Sequence, residues 1–305
     1  MLCSPRYLSA YVLGVGQAMG LRGDWHRLVS LWDGRDSIAK QIAEMAPDVI
    51  WTHMACWPPE GSTPVEQVAE VLAYWKRRGA VVFLHDGDPR DRTIPTAVDV
   101  PACFTRGLLN RSVDESNPWW GIEAIRWPYA AMAQREMVQP TADLDCDLLF
   151  AGLLRREEEK GGLYGERTAL VHELQRRLWP RMQIVSPGGG DVNNRMHVAD
   201  VAARVGAVLG FGRPDVPGWI DTRVFQWPGA GAVLIHDDTG GVLEDGVHFL
   251  RFSRKDGVDG VLRAVERAKT DGAAIRARAF AHIQAHHTWC NRVDEALEPF
   301  FGRAS

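Results

Sequence analysis

Short, nearly uninterrupted apolar runs alternate along this chain with longer stretches in which apolar positions return every three or four residues. The first pattern fits strands covered on both faces, and the second fits helices with one apolar stripe. Their alternation predicts an α/β protein of right-handed βαβ units around parallel sheets. In the first half, Ala10 to Val15 reads as a buried strand followed by a turn marked by Gly14, Gly16 and Gly20. Asp36 to Met45 reads as a helix with Ile38, Ile42 and Met45 on one face, stopped by Pro47, and Asp48 to His53 as the next strand. Thr63, Pro64 and Glu66 form a helix-start signature, and that helix runs to about Arg78 before Gly79 ends it. Ala80 to His85 is then a central strand, with shorter strands expected at Ala102 to Thr105 and Ala124 to Trp127.

The polar, proline-bearing segment from Val138 to Asp145 carries no periodicity, and a new apolar strand starts at Asp147. The boundary belongs near Pro140, giving domains over 1–140 and 141–305. The second half repeats the rhythm. A helix is expected from Arg167 to Leu178, strands at Gln183 to Ser186 and Ala207 to Phe211, a helix near Thr222, a strand at Ala232 to His236, and helices from Val258 and from Asp271 to the end. The halves resemble each other, so the expected architecture is two Rossmann-like domains facing across a cleft.

Composition narrows the classes. With 305 residues, 46% hydrophobic and 24% charged, the chain is neither disordered nor fibrous. Its net charge of -4 gives no global reason to coat nucleic acid or an anionic membrane. Five scattered cysteines without a C-x-x-C pair indicate neither a disulfide framework nor a zinc site, which fits a cytoplasmic location. The apolar run from Tyr7 to Leu21 is cut by glycines and does not read as a membrane span.

In open parallel sheets, ligands gather at the carboxyl ends of strands. Beyond the strand at Ala80 lie His85, Asp86 and Asp88. Asp86 or His85 can serve as general base for an acceptor hydroxyl, or the cluster can be a set of turn formers. Asp86-Gly87-Asp88 matches D-x-D by letter, but no metal site is assigned. Gly16 and Trp57 join Asp88 as acceptor-side candidates. In the second half, Gly152 and Arg155 follow the first strand and suit a phosphate, while Ser186, Gly188 and Gly189 leave backbone free to lie against a base. Arg213 follows another strand. The block from Gly218 to Asp238 is the richest. There Asp221 or Thr222 can cap a short helix, Arg223 sits in its first turn where guanidinium and unpaired amides can meet a diphosphate, and Gln226 lies on the same face to bond ribose hydroxyls. An Arg223 paired with Asp221 for structure alone is the competing reading.

Arg223-Val224-Phe225-Gln226, followed by Gly229-Ala230-Gly231 and the run Ala232 to Ile235, resembles the R-x-F-E, glycine turn and apolar strand of glycosyltransferases related to the spore maturation protein CgeB. His287-Thr288-Trp289-Cys290-Asn291-Arg292 resembles the H-T-x-x-x-R opening the last helix of that group. The resemblance covers about Asp147 to Leu297. It implies a GT-B fold in which the second domain holds a nucleotide-sugar donor, the first holds the acceptor, and the last helix crosses back. By that resemblance Arg223 binds the donor diphosphate, Gln226 replaces the family glutamate, and neither metal nor cofactor is needed. The acceptor is left open among a glycan, a protein side chain and a modified DNA base. Two rivals stand beside this reading. One is a nucleotide-sugar-binding protein without catalysis, prompted by Gln226. The other is an NAD-dependent oxidoreductase, prompted by Gly14, Gly16 and Gly20 after a first strand.

Overall fold

The computed structural model describes residues 2–3, 10–23, 29–30, 35–53, 63–86, 98–110, 121–152, 154, 162–185, 198–213, 216 and 218–302. They form two compact units, one of residues 1–129, 216–219 and 293–305, the other of residues 130–215 and 220–292.

In the first unit, strands β1 (Leu2–Cys3) and β2 (Val29–Ser30) pair in parallel. A second parallel sheet follows the order β3-β4-β5-β6, with β3 at Val49–His53, β4 at Val81–Asp86, β5 at Arg106–Leu109 and β6 at Ala124–Arg126. Every residue of β4 is buried, as an uninterrupted apolar run at the centre of a sheet requires. Helix α2 (Arg35–Met45) buries Ile38 and Ile42, and helix α3 (Thr63–Arg77) buries Val65, Val68 and Leu72. Gly79, at φ +98°, takes the left-handed turn into β4.

Two sequence expectations fail here. Ala10–Leu21 is a helix, α1, and not a strand with a glycine turn. A run apolar at nearly every position fits a strand and a buried helix alike, and its length, too great for most strands, decides the matter. Gly14, Gly16 and Gly20 therefore lie within a helix, which removes the strand-glycine-helix arrangement that prompted the dinucleotide-binding rival. The strand expected at Ala102 is instead a short helix, α4 (Val100–Cys103), because the Asp99 carboxylate accepts the Ala102 N–H at 3.1 Å and Pro101 sits in the first turn.

In the second unit a five-stranded parallel sheet runs β11-β10-β9-β7-β8. Its strands are β7 (Cys146–Ala151), β8 (Met182–Val185), β9 (Val205–Gly210), β10 (Leu234–His236) and β11 (Leu250–Arg251). Helix α5 (Gly162–Leu178) joins β7 to β8, α6 (Val198–Ala202) precedes β9, and α7 (Arg223–Gly229) precedes β10. One face of the sheet buries Leu148, Phe150, Leu209 and Ile235 against Val171, Leu174 and Val261. The other buries Leu149 and Val208 against Ala202 and Trp227.

The two helices expected after Val258 are one, α8 (Gly257–His286). Gly272 does not break it; a Cβ there would come within 3.3 Å of Val233 Cγ2, so the glycine admits close packing on the sheet. Arg276 of α8 is buried, and its guanidinium donates to the carbonyls of Ala202, Gly231, Val205 and Gly206 at 2.6 to 3.0 Å. The chain breaks at His287. Thr288 and Asn291 then cap α9 (Trp289–Phe301) reciprocally, Asn291 Oδ1 accepting the Thr288 N–H at 2.8 Å and Thr288 Oγ1 facing the Asn291 N–H at 3.4 Å. No helix among the described residues is long and apolar enough to cross a membrane.

Candidate functional site

In the second unit, β7 is the first strand in sequence. The chain then moves to β8 on one side and to β9 on the other. The crevice beyond the carboxyl ends of β7 and β9 is thus the topological switch point, where two successive connections leave the sheet in opposite directions and open a space between them. Gly152 follows β7, Phe211-Gly212-Arg213 follows β9, and His236-Asp237 ends β10.

Arg223 lies across the end of β7. Its Nε donates to the Ala151 carbonyl at 2.8 Å and its Nη1 to Asp221 Oδ2 at 2.5 Å. A Cβ on residue 152 would stand 2.5 Å from Nη2, so only glycine leaves room for the guanidinium there. The sequence reading gave Gly152 a different task, approach of its own backbone to a phosphate; its observed effect is to admit Arg223. The side chain of Arg223 is 13% exposed and that of Asp221 5%. Asp221 has two functions: Oδ1 caps α7 by accepting the Arg223 N–H at 2.8 Å, and Oδ2 orients the guanidinium. Thr222 makes no side-chain cap bond, so the cap falls on Asp221.

One expectation about α7 needs correction. Its first-turn amides are not unpaired. Arg223 N–H bonds Asp221 Oδ1, Val224 N–H the Asp221 carbonyl, and the Phe225 and Gln226 N–H groups the Thr222 carbonyl. Any cationic character at this edge therefore comes from side chains. Gln226 is half-buried, and its Oε1 is buried with no hydrogen-bond partner among the described residues. An acceptor in that state costs about 1–3 kcal/mol until a donor meets it.

Arg213 is half-buried beside Gly212. Two residues that the sequence reading left without a role converge on Gly212. The Gly212 N–H donates to Asp237 Oδ1 at 2.6 Å, Arg254 Nη2 donates to the Gly212 carbonyl at 2.7 Å, and Arg254 Nε is bonded to Asp237 Oδ2. Burial pushes the Asp237 carboxyl up, but His236, the Gly212 amide and Arg254 outweigh it and hold the group well below the usual carboxylate range. Placement directly after a strand was the available signal for Asp237. For Arg254 there was none, since its partner lies seventeen residues away. Arg155, Ser186, Gly188 and Gly189 lie outside the described residues.

In the first unit, β4 ends at His85 and Asp86. The His85 ring is fully buried, edge-on to Trp127 at 5.1 Å and Tyr129 at 5.6 Å, and Trp127 stacks on Trp51 at 5.7 Å. Asp86 retains 8% exposure, and its carbonyl accepts the Asn110 N–H at 3.0 Å. Of the two expected bases, Asp86 alone has any access to solvent. Trp51 is itself part of the core. Gly16 lies half-buried in α1. Asp88 and Trp57 fall outside the described residues.

At the joint of α8 and α9, four histidines of the second unit adjoin. His248 stacks on His282 at 4.5 Å, and His286 and His287 lie 5.3 and 5.1 Å from His282. Arg292 bonds His287 Nδ1 at 3.0 Å, and the His287 ring lies 5.8 Å from Phe225 of α7. His287 thus packs behind the helix bearing Arg223. Burial, then Arg292, His282 and His286, lower its pKa to about 4. Among the described residues, no three His, Cys, Asp or Glu side chains are placed to hold a metal.

Residues 149–298 match the family described as Glycosyl transferase-like. No curated protein sequence matches this one. Among solved structures, the chain is similar to the DNA modifying enzyme β-glucosyltransferase, solved in the presence and absence of its substrate uridine diphosphoglucose, at 9% identity and a TM-score of 0.59 over 98% of this chain and 97% of that one. It is also similar to the lipopolysaccharide outer core galactosyltransferase WaaB, at 10% identity and a TM-score of 0.50 over 98% of each chain. A third likeness is to OtsA, at 12% identity and a TM-score of 0.51 over 100% and 99%. The fold is accordingly the GT-B fold of two Rossmann-like domains, with a glycosyl transferase-like region over residues 149–298.

Proposed function

We propose that this protein is a glycosyltransferase that moves a sugar from a nucleotide-sugar donor to an acceptor hydroxyl, with the donor held at the β7/β9 switch point of the second unit. The observation that carries the reading is the placement of Arg223 over Gly152, where the Ala151 carbonyl and the Asp221 carboxylate hold its guanidinium at the end of β7. Arg223 meets the diphosphate through Nη2, its other nitrogens being engaged by Ala151 and Asp221. Gln226 offers its orphaned Oε1 to a ribose or sugar hydroxyl, a bond that stabilises the complex by satisfying a buried acceptor. A neutral amide can both accept and donate there, so its replacement of a carboxylate leaves hydroxyl recognition intact. Ser186, Gly188 and Gly189 are assigned to the base, and Gly152, Arg155 and Arg213 to the phosphate side. The pattern R-x-F-Q and the H-T-x-x-x-R that leads into α9 resemble those of the CgeB-related enzymes and support a kinship with them.

For a reaction that inverts configuration, the acceptor oxygen attacks the anomeric carbon and Asp86 is assigned as the base that takes its proton. The bond from that carbon to the phosphate oxygen breaks, and the nucleoside diphosphate leaves with the electron pair, its charge met by the arginines. The substrate uridine diphosphoglucose of β-glucosyltransferase makes uridine diphosphate sugars the first donors to try, alongside guanosine and thymidine forms. The acceptor class extends over glycans, proteins and modified DNA bases. Titration calorimetry with these nucleotides tests the assignment: Arg223→Ala should abolish donor binding in a folded protein, and unchanged affinity would overturn it. Donor hydrolysis without acceptor separates the enzyme from a binding protein that lacks catalysis.

A further inference from the structure

The closure of Asp237, Arg254 and Gly212 joins the ends of three neighbouring strands. Gly212 follows β9, Asp237 follows β10 and Arg254 follows β11. Both backbone polar groups of Gly212 are taken by these two side chains, which also bind each other. Asp237 is nearly buried, at 9% side-chain exposure, and Arg254 is partly so at 31%. Keeping a buried carboxylate ionised is expensive, and an apolar contact could close a loop at lower cost. What the ion pair adds is direction, because a hold on the two peptide groups that flank the Gly212 Cα fixes the backbone from which the next residue departs. That residue is Arg213. The strands β7 and β9 pair Phe150 with Leu209, so Gly152 and Phe211 stand two residues beyond paired positions, and Arg213 leaves the sheet on the same edge as Arg223.

We infer that Asp237 and Arg254 are positioning residues that aim Arg213 at the donor's diphosphate, opposite Arg223. The anion is then met by two guanidiniums, one fixed from the β7 end by Asp221 and one from the β9 end through Gly212. This rests on the donor reading above and goes beyond it by assigning work to two side chains that touch no substrate.

Affinities of the folded protein for the diphosphate and monophosphate of one nucleoside test it, read by calorimetry with thermal melting alongside. Using UDP and UMP, wild type should favour UDP. Asp237→Asn keeps an acceptor for the Gly212 amide but loses the charge toward Arg254, and it should cut the UDP-over-UMP preference about tenfold while UMP affinity stays put, the loss of roughly one charge-assisted bond. Arg254→Lys, which can reach the Gly212 carbonyl or Asp237 but not both, should fall between wild type and Arg254→Ala. Arg213→Ala should match Asp237→Asn, and the double variant should be no worse than either. Equal loss of UDP and UMP, or an unchanged preference in a folded Asp237→Asn, would show a purely structural lock and overturn the inference while leaving the donor reading in place. If wild type binds none of UDP, GDP and TDP, the donor reading fails and this inference fails with it.

Discussion

Gly152→Ala probes the site without removing any polar group. The residue does not have a left-handed φ, so alanine fits the backbone, and the clash is purely one of space. The new Cβ would lie 2.5 Å from Arg223 Nη2, 3.4 Å from its Cζ and 3.0 Å from Phe150 Cζ. Ordinary contact begins near 3.4 Å, so the guanidinium must retreat by roughly an ångström. The bonds that hold it, to Ala151 and Asp221, cannot both survive that retreat. Losing one charge-assisted bond costs about 1.5–3 kcal/mol of fold stability. The reduced freedom of the unfolded chain returns about 0.4–1 kcal/mol. The net, roughly 0.5–2.6 kcal/mol, lowers Tm by about 1–10 °C at the 2–4 °C per kcal/mol typical of chains somewhat smaller than this one. Donor binding should suffer more, since Nη2 is the nitrogen proposed to meet the phosphate; about 2 kcal/mol there is close to a thirtyfold rise in Kd. Differential scanning calorimetry and nucleotide titration read the two effects separately. A folded Gly152→Ala protein with wild-type donor affinity would refute the role given to Arg223.

The remaining predictions concern the frame of the second unit. Arg276→Met fills similar volume but leaves four carbonyls, three of them buried, without that donor, so urea unfolding should show a loss of about 3–5 kcal/mol, well above that of an ordinary surface substitution. For His287, the folded pKa near 4 lies below the unfolded value of about 6.5, so the unfolded chain binds more protons between them. Stability should be fully present above pH 6.5, fall as pH drops toward 4, and then level off; His287→Gln should flatten that part of the profile, and an unchanged slope would reject the assignment.

Periodicity and punctuation in the sequence reveal most of the sheet framework. The burial of β4 follows from its apolar run, and α3 from Thr63-Pro64 and Gly79. Elements were misread where one signal fits two structures, as in α1, where no polar position marks a period, and in α8, where Gly272 serves packing and not termination. The candidate residues were legible by place, Asp86, Gly152 and Arg213 at or just after strand ends and Arg223 in the first turn of α7. Their wiring was not. That Asp221 would claim the Arg223 amide, or that Asp237 and Arg254 would meet across seventeen residues on Gly212, depends on distances set only once β9, β10 and β11 lie side by side. His85 shows the converse: a histidine at a strand end reads as chemistry, yet here it is packed among aromatic rings.

The saturated first turn of α7 has an evolutionary corollary. A cradle built from peptide N–H groups is indifferent to most codon changes, because every residue except proline supplies one. In α7 those groups are spent inside the turn, leaving affinity for an anion to individual long side chains. On the donor-site reading proposed above, such a surface is quickly retuned: one base change at position 213 or 223 would abolish or redirect its preference while the sheet beneath stays as it is.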